Sequence, residues 1–138
     1  MPYVQCLTNQ LVTTTAMQAW KAGVAEALAQ VAGKPEKYLF VSIQSPGSDR
    51  VVPASVTGEN ANAPNRPGLA LFVGGQDAPG AVIRLSLIGK LSREQKAELT
   101  RRLCRLCEEH LNVPPAGVYV IVESVEAEDW GWNGELFG

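Results

Sequence analysis

Apolar residues along this chain fall into two alternating kinds of run. Residues 3–8 (YVQCLT) mix apolar and polar positions at short range and predict a strand. Met17, Trp20, Val24, Leu28 and Val31 then recur at spacings of three and four, the signature of one helical face. A threonine at 13, 14 or 15 supplies the N-cap, and Gly33 with Pro35 supplies the stop. Residues 38–43 (YLFVSI) form an unbroken apolar and β-branched run, which predicts a buried strand.

From Ser45 to Gly68 the pattern dissolves into prolines, glycines and small polar residues, an irregular excursion inserted at about 45–68. Within it VVPASV reads as a short edge ribbon broken by Pro53. Leu69–Val73 predicts a short strand, turned by Gly74, Gly75 and Pro79, and residues 80–88 predict a longer one. Ser92, with Glu94 and Gln95 behind it, caps a second helix bearing Leu99, Leu103, Leu106, Cys107 and His110 on one face. Pro114 and Pro115 end it, and 117–123 (GVYVIVE) is a last buried strand.

The order strand, helix, strand thus occurs twice, with Pro35 and Pro114 at matching places, an internal structural repeat. Two right-handed βαβ crossovers side by side give an α+β fold, a four-stranded mixed sheet with two helices on one face, within one domain spanning 1–138. Strands this apolar would leave the other face intolerant of water, which predicts oligomerisation. The formal net charge of −2 offers no basic patch for nucleic acid, and no apolar run reaches membrane-spanning length. The opening MPYVQCLTNQ lacks the basic start and apolar stretch of a signal peptide, so the expected compartment is cytoplasmic. Three cysteines, an odd count, fit reduced thiols there.

Four places carry candidate chemistry. Removing Met1 would expose Pro2 as a free secondary amine. An α-amine has a pKa of about 7.7–8.0, and burial or a nearby lysine would lower it towards the range of a general base. Lys34, between a helix end and a strand, can hold a carboxylate or simply answer the helix dipole. Leu87-Ile88-Gly89-Lys90 ends a strand, where a backbone N–H can meet an anion. The tail Asp129-Trp130-Gly131-Trp132-Asn133-Gly134 can wall an apolar pocket or cover an open core edge. The lone histidine, His110, lies on a helix and reads as structural.

MPYVQCLTN, GKPEKY, GGQDAPGAVIRLSLIGKL, VYVIV and WGWNGELF, in that order, resemble the Met-Pro…Thr-Asn, Gly-Lys-Pro…Tyr, Gly-Gly…Pro…Ile-Gly-Lys, Val-Tyr-Ile and Gly-Trp-Asn…Phe segments of the macrophage migration inhibitory factor (MIF) family of tautomerases. The resemblance implies a homotrimer with pockets between subunits and a keto–enol tautomerase acting on phenylpyruvate-like or dopachrome-type aromatic keto acids. It implies Pro2 as catalytic base, Lys34 and the Ile88 N–H as carboxylate holders, and Tyr119 as the neighbouring subunit's contribution. It further implies Trp132 and Phe137 as pocket aromatics and Tyr38 at the rim. It implies no metal or cofactor. It equally admits a trimeric, cytokine-like signalling or binding protein with vestigial activity, exported without a signal peptide.

The departures are specific. Gly80-Ala81-Val82-Ile83 stands where mammalian members carry Cys-x-x-Cys, while Cys104-Arg105-Leu106-Cys107 has that spacing inside a helix. Ile121 replaces a frequent asparagine, and Trp130 a smaller apolar residue. Both changes predict a more apolar or narrower pocket.

Overall fold

The computed structural model describes residues 2–46 and 69–138. Strand β1 (Pro2–Thr8) leads into helix α1 (Thr14–Ala32) and strand β2 (Phe40–Gln44). Strand β3 (Ala81–Ile88), helix α2 (Arg93–Leu111) and strand β4 (Val118–Val125) repeat the unit, and a small hairpin of β5 (Gly131–Trp132) and β6 (Glu135–Leu136) closes the chain. The main sheet has the order β2-β1-β3-β4. Each βαβ unit contributes a parallel pair, and the units join through the antiparallel pair β1–β3. No helix among the described residues is long and apolar enough to cross a membrane.

The helix ends follow local chemistry. Thr13 Oγ1 accepts from the Ala16 N–H at 3.1 Å, and Ser92 and Gln95 exchange hydrogen bonds in a full capping box. Gly33 (φ 66°) and Asn112 (φ 57°) take the left-handed conformation that stops each helix. The residue after each cap then donates six positions back: Lys34 N–H to the Leu28 carbonyl at 3.1 Å, Val113 N–H to that of Cys107 at 3.2 Å. A proline and a single 3-10 turn follow in both halves, Glu36–Tyr38 and Pro115–Gly117. The internal repeat therefore extends to individual hydrogen bonds. It also sets Lys34 in the place of Val113, which is fully buried.

Alternation along β1 and β3 turns Val4, Cys6, Ile83, Leu85 and Leu87 towards the helices, where they meet Trp20, Leu28, Leu99, Leu103 and Cys107. The opposite face is mixed in character, with polar residues among the apolar ones. Gln5, Arg84, Ser42 and Glu123 occupy it, and Tyr3 Oη with Ser42 Oγ (2.9 Å) and Ser86 Oγ with Glu123 Oε2 (3.2 Å) join strands across it. Leu7 and Val82 on the central strands share it, and Phe40, Tyr119 and Ile121 expose large apolar side chains on its outer strands.

Among the described residues, Leu69–Val73 forms no continuous strand and holds only isolated bridge positions at Leu69 and Val73. Val73 and Gln76 instead exchange two 2.9 Å backbone bonds around Gly74 and Gly75, both at positive φ. A side chain just past the end of β1 holds this segment. Asn9 Nδ2 donates to the carbonyls of Leu71 (3.1 Å) and Ala78 (2.8 Å), and its Oδ1 accepts from Gly80 N–H at 2.9 Å. Thr8 Oγ1 adds a bond to the Gly80 carbonyl at 2.8 Å. Thr8-Asn9 thus satisfies backbone groups that a strand would have satisfied through a ladder. The ribbon expected at VVPASV lies outside the described residues.

Candidate functional site

At one end of the sheet Pro2 begins β1, buried and in register with Leu87. Ile88 follows on β3, after which Gly89 (φ 95°) turns the chain away. Lys34, half-buried just past the α1 cap, reaches across and donates from Nζ to the Ile88 carbonyl at 3.2 Å. The pairing to Leu87 and this bond bring Pro2, Lys34 and Ile88 to the same sheet end. Lys34 thus engages the carbonyl of Ile88, while the N–H of that residue is the group the sequence resemblance implies for a substrate carboxylate.

Beside this cluster is a cavity of 230 Å³ lined by Pro2, Tyr3, Phe40, Trp130, Gly131 and Trp132. One wall comes from the sheet and the other from the tail. The tail is shaped by its sequence: Asn133 (φ 53°) and Gly134 (φ 83°) form a two-residue loop of the mirror-image kind, pairing Trp132 with Glu135. Phe137 stacks on Trp132 with ring centroids 6.3 Å apart and planes 20° off parallel. Its N–H donates to the Trp130 carbonyl at 3.0 Å. Phe137 thus braces Trp132 rather than lining the cavity.

Tyr38 ends the 3-10 turn before β2, outside the cavity lining, with Lys37 Nζ 4.9 Å from its ring centroid. Tyr119 is elsewhere altogether. It pairs with Val82, five positions along β3 from Leu87, so it lies about 16 Å from the Pro2 end at strand spacing. There it is 76% exposed and borders a second cavity, of 290 Å³, with Leu71, Phe72 and Val73. Within one chain Tyr119 cannot meet Pro2.

Phe40 escaped the sequence reading, which placed it in a buried strand. A signal was present: in FVSIQ the core-facing Val41 and Ile43 alternate with Ser42 and Gln44, and Phe40 belongs to the polar series. Tyr3 was missed for a related reason, since it sits on the outward series of β1.

The cysteines form a separate cluster under α2. A hydrogen bond with Cys107, then burial, holds the Cys6 thiol far above its usual range, while the same bond draws Cys107 down. Burial raises Cys104. Cys107 therefore partners Cys6 on β1, and the Cys104…Cys107 spacing reflects helix packing.

Comparison with known proteins agrees with this architecture. The profile of the macrophage migration inhibitory factor (MIF) family matches residues 52–138. The macrophage migration inhibitory factor of Rattus norvegicus is 32% identical over 110 residues, 80% of this chain and 76% of that protein. The solved Toxoplasma gondii macrophage migration inhibitory factor superposes with a TM-score of 0.78 at 20% identity, covering 98% of this chain and 99% of that one. A fused 4-OT, described as a wild-type symmetric trimer, gives 0.70 at 20% identity, covering 97% and 94%. Shared sequence across most of the chain and a shared βαβ-repeat fold together mean that this chain belongs to the macrophage migration inhibitory factor family.

Proposed function

We propose that the chain is a tautomerase of the isomerase type, interconverting keto and enol forms of phenylpyruvate-like acids with the amine of Pro2 as base. The observation that carries this reading is the convergence at one sheet end: a buried Pro2, a half-buried Lys34 and an aromatic-lined cavity. Pro2 becomes an amine once Met1 is removed. Its apolar surroundings disfavour the charged form, and the Lys34 ammonium acts in the same direction. The neutral nitrogen takes a proton from C3 of the keto acid, and the electron pair of that C–H bond becomes the enol double bond. The carbonyl π pair moves onto oxygen, and the prolinium delivers the proton to that oxygen to give the enol; in the reverse direction the same nitrogen takes the enol O–H proton and delivers it to C3.

Lys34 holds the substrate carboxylate, exchanging its bond to the neutral Ile88 carbonyl for a charge-assisted one. The Ile88 N–H is the second donor. Trp132, braced by Phe137, carries the ring, and Tyr38 stands at the rim. Tyr119 joins the site only from another copy, because its own Pro2 is at the far end of the sheet. A homotrimer with pockets between subunits meets this requirement. The exposed Tyr119 and Ile121 of β4 supply apolar surface for it.

The test is phenylpyruvate tautomerisation followed through enol absorbance, on protein whose intact mass establishes loss of Met1. Pro2→Gly should reduce kcat/KM by roughly 100-fold or more. A rate unchanged in that variant, or Met1 found in place on an active protein, overturns the assignment and leaves the binding-protein reading.

A further inference from the structure

Phe40 is the one large apolar side chain on the outward series of β2, where its neighbours are Ser42 and Gln44. It is 57% exposed although Val41 and Ile43 beside it pack on the core. Its register partner is Tyr3, the residue after Pro2, and both line the Pro2 cavity. The facing wall comes from a separate element, the tail, through Trp130 and Trp132. The site is therefore a slot with aromatic walls from two parts of the chain. At 230 Å³ it is smaller than the ~300–1,000 Å³ common for drug-sized ligands.

We infer that Phe40 is a specificity-determining residue of this site, its ring selecting a flat single-ring aryl group on the keto acid against a branched alkyl group. The inference rests on the proposal that Pro2 is the reacting nitrogen. An aryl ring can lie against Phe40 in an offset-stacked or edge-to-face arrangement while Trp132 and its Phe137 brace fix the opposite wall. A branched alkyl chain gains contact area but no such geometry, and its width works against the slot. Phe40 bears no group that moves a proton, so its contribution appears in which substrate is accepted, not in the chemistry.

The experiment compares phenylpyruvate with 4-methyl-2-oxopentanoate in the full-length protein. The readout is exchange of the C3 protons for solvent deuterium, by proton NMR, which reports the same proton abstraction for both acids. The quantity read is the aryl-to-alkyl ratio of kcat/KM, in which the fraction of active protein cancels. Phe40→Leu should lower that ratio roughly tenfold, through the aryl KM, with the alkyl kcat/KM changing far less than the aryl value and the assembled mass as in the parent. Phe40→Trp should keep the ratio within about threefold of the parent. An unchanged ratio in an active Phe40→Leu variant overturns the inference and leaves the tautomerase reading intact. Loss of both activities from an intact assembly, or loss of the assembly itself, also overturns it, by making Phe40 a structural or interface residue. No exchange with either acid in the parent protein instead sinks the reading of Pro2 on which the inference stands.

Discussion

Replacing Lys34 with valine separates the two roles a lysine can play at the end of α1. In the second half of the repeat the same position is Val113, pinned by the same six-back hydrogen bond and followed by the same proline. Valine is thus a residue this backbone already accepts, and the β-branched side chain suits the extended conformation required before Pro35. The substitution removes the 3.2 Å bond from Nζ to the Ile88 carbonyl, at a cost of about 1 kcal/mol because water can still reach a half-buried group. Burying the valine methyls returns about 1 kcal/mol. The melting temperature should therefore move by no more than about 4 °C. The substrate carboxylate, by contrast, loses a charge-assisted partner worth about 1.5–3 kcal/mol. That corresponds to a fall of roughly 10- to 150-fold in kcat/KM for phenylpyruvate, expressed mainly in KM if the contact is equally strong in ground and transition states. Thermal unfolding and steady-state kinetics on the same preparation decide the matter. A variant that melts many degrees lower yet keeps its kcat/KM would show that Lys34 serves the helix end and not the substrate.

Asn9→Ala removes three hydrogen bonds to Leu71, Ala78 and Gly80 from a fully buried position and should cost about 3 kcal/mol, with amide exchange at Gly80 accelerating first. Protection at Gly80 equal to that of the β3 centre would refute the clamp. Gly117→Ala would set a methyl carbon against the Pro79 carbonyl oxygen, a backbone atom that cannot swing away, so denaturant unfolding should report a loss of roughly 2 kcal/mol. A variant as stable as the parent would mean that the 79–80 backbone yields freely.

Much of this fold is legible in local sequence because local chemistry decides it. The helices follow from three-and-four spacing and from Thr13, Ser92 and Gly33 at their ends, and the repeat is visible in Pro35 and Pro114. What escaped depends on partners distant in sequence. The backbone of 69–80 is held by Asn9, some sixty to seventy residues away, so no local propensity could distinguish a clamped turn from a strand. The run YLFVSI reads as buried only until the topology makes β2 an edge strand, which leaves Phe40 facing outward beside Pro2. The cysteine spacing in α2 is legible as helix packing, but that the partner of Cys107 is Cys6, on another element, is not.

Everything in the functional account depends on the charge carried by one secondary amine. The direct measurement is a nitrogen-15 NMR titration of Pro2 in the full-length assembled protein, beside the pH profile of kcat/KM. The account predicts an amine pKa depressed below the ordinary ~7.7–8.0 of a chain terminus, with kcat/KM rising with pH through that same value as the neutral base forms. A Pro2 nitrogen that stays fully protonated through neutral pH, while phenylpyruvate is still turned over, would contradict it.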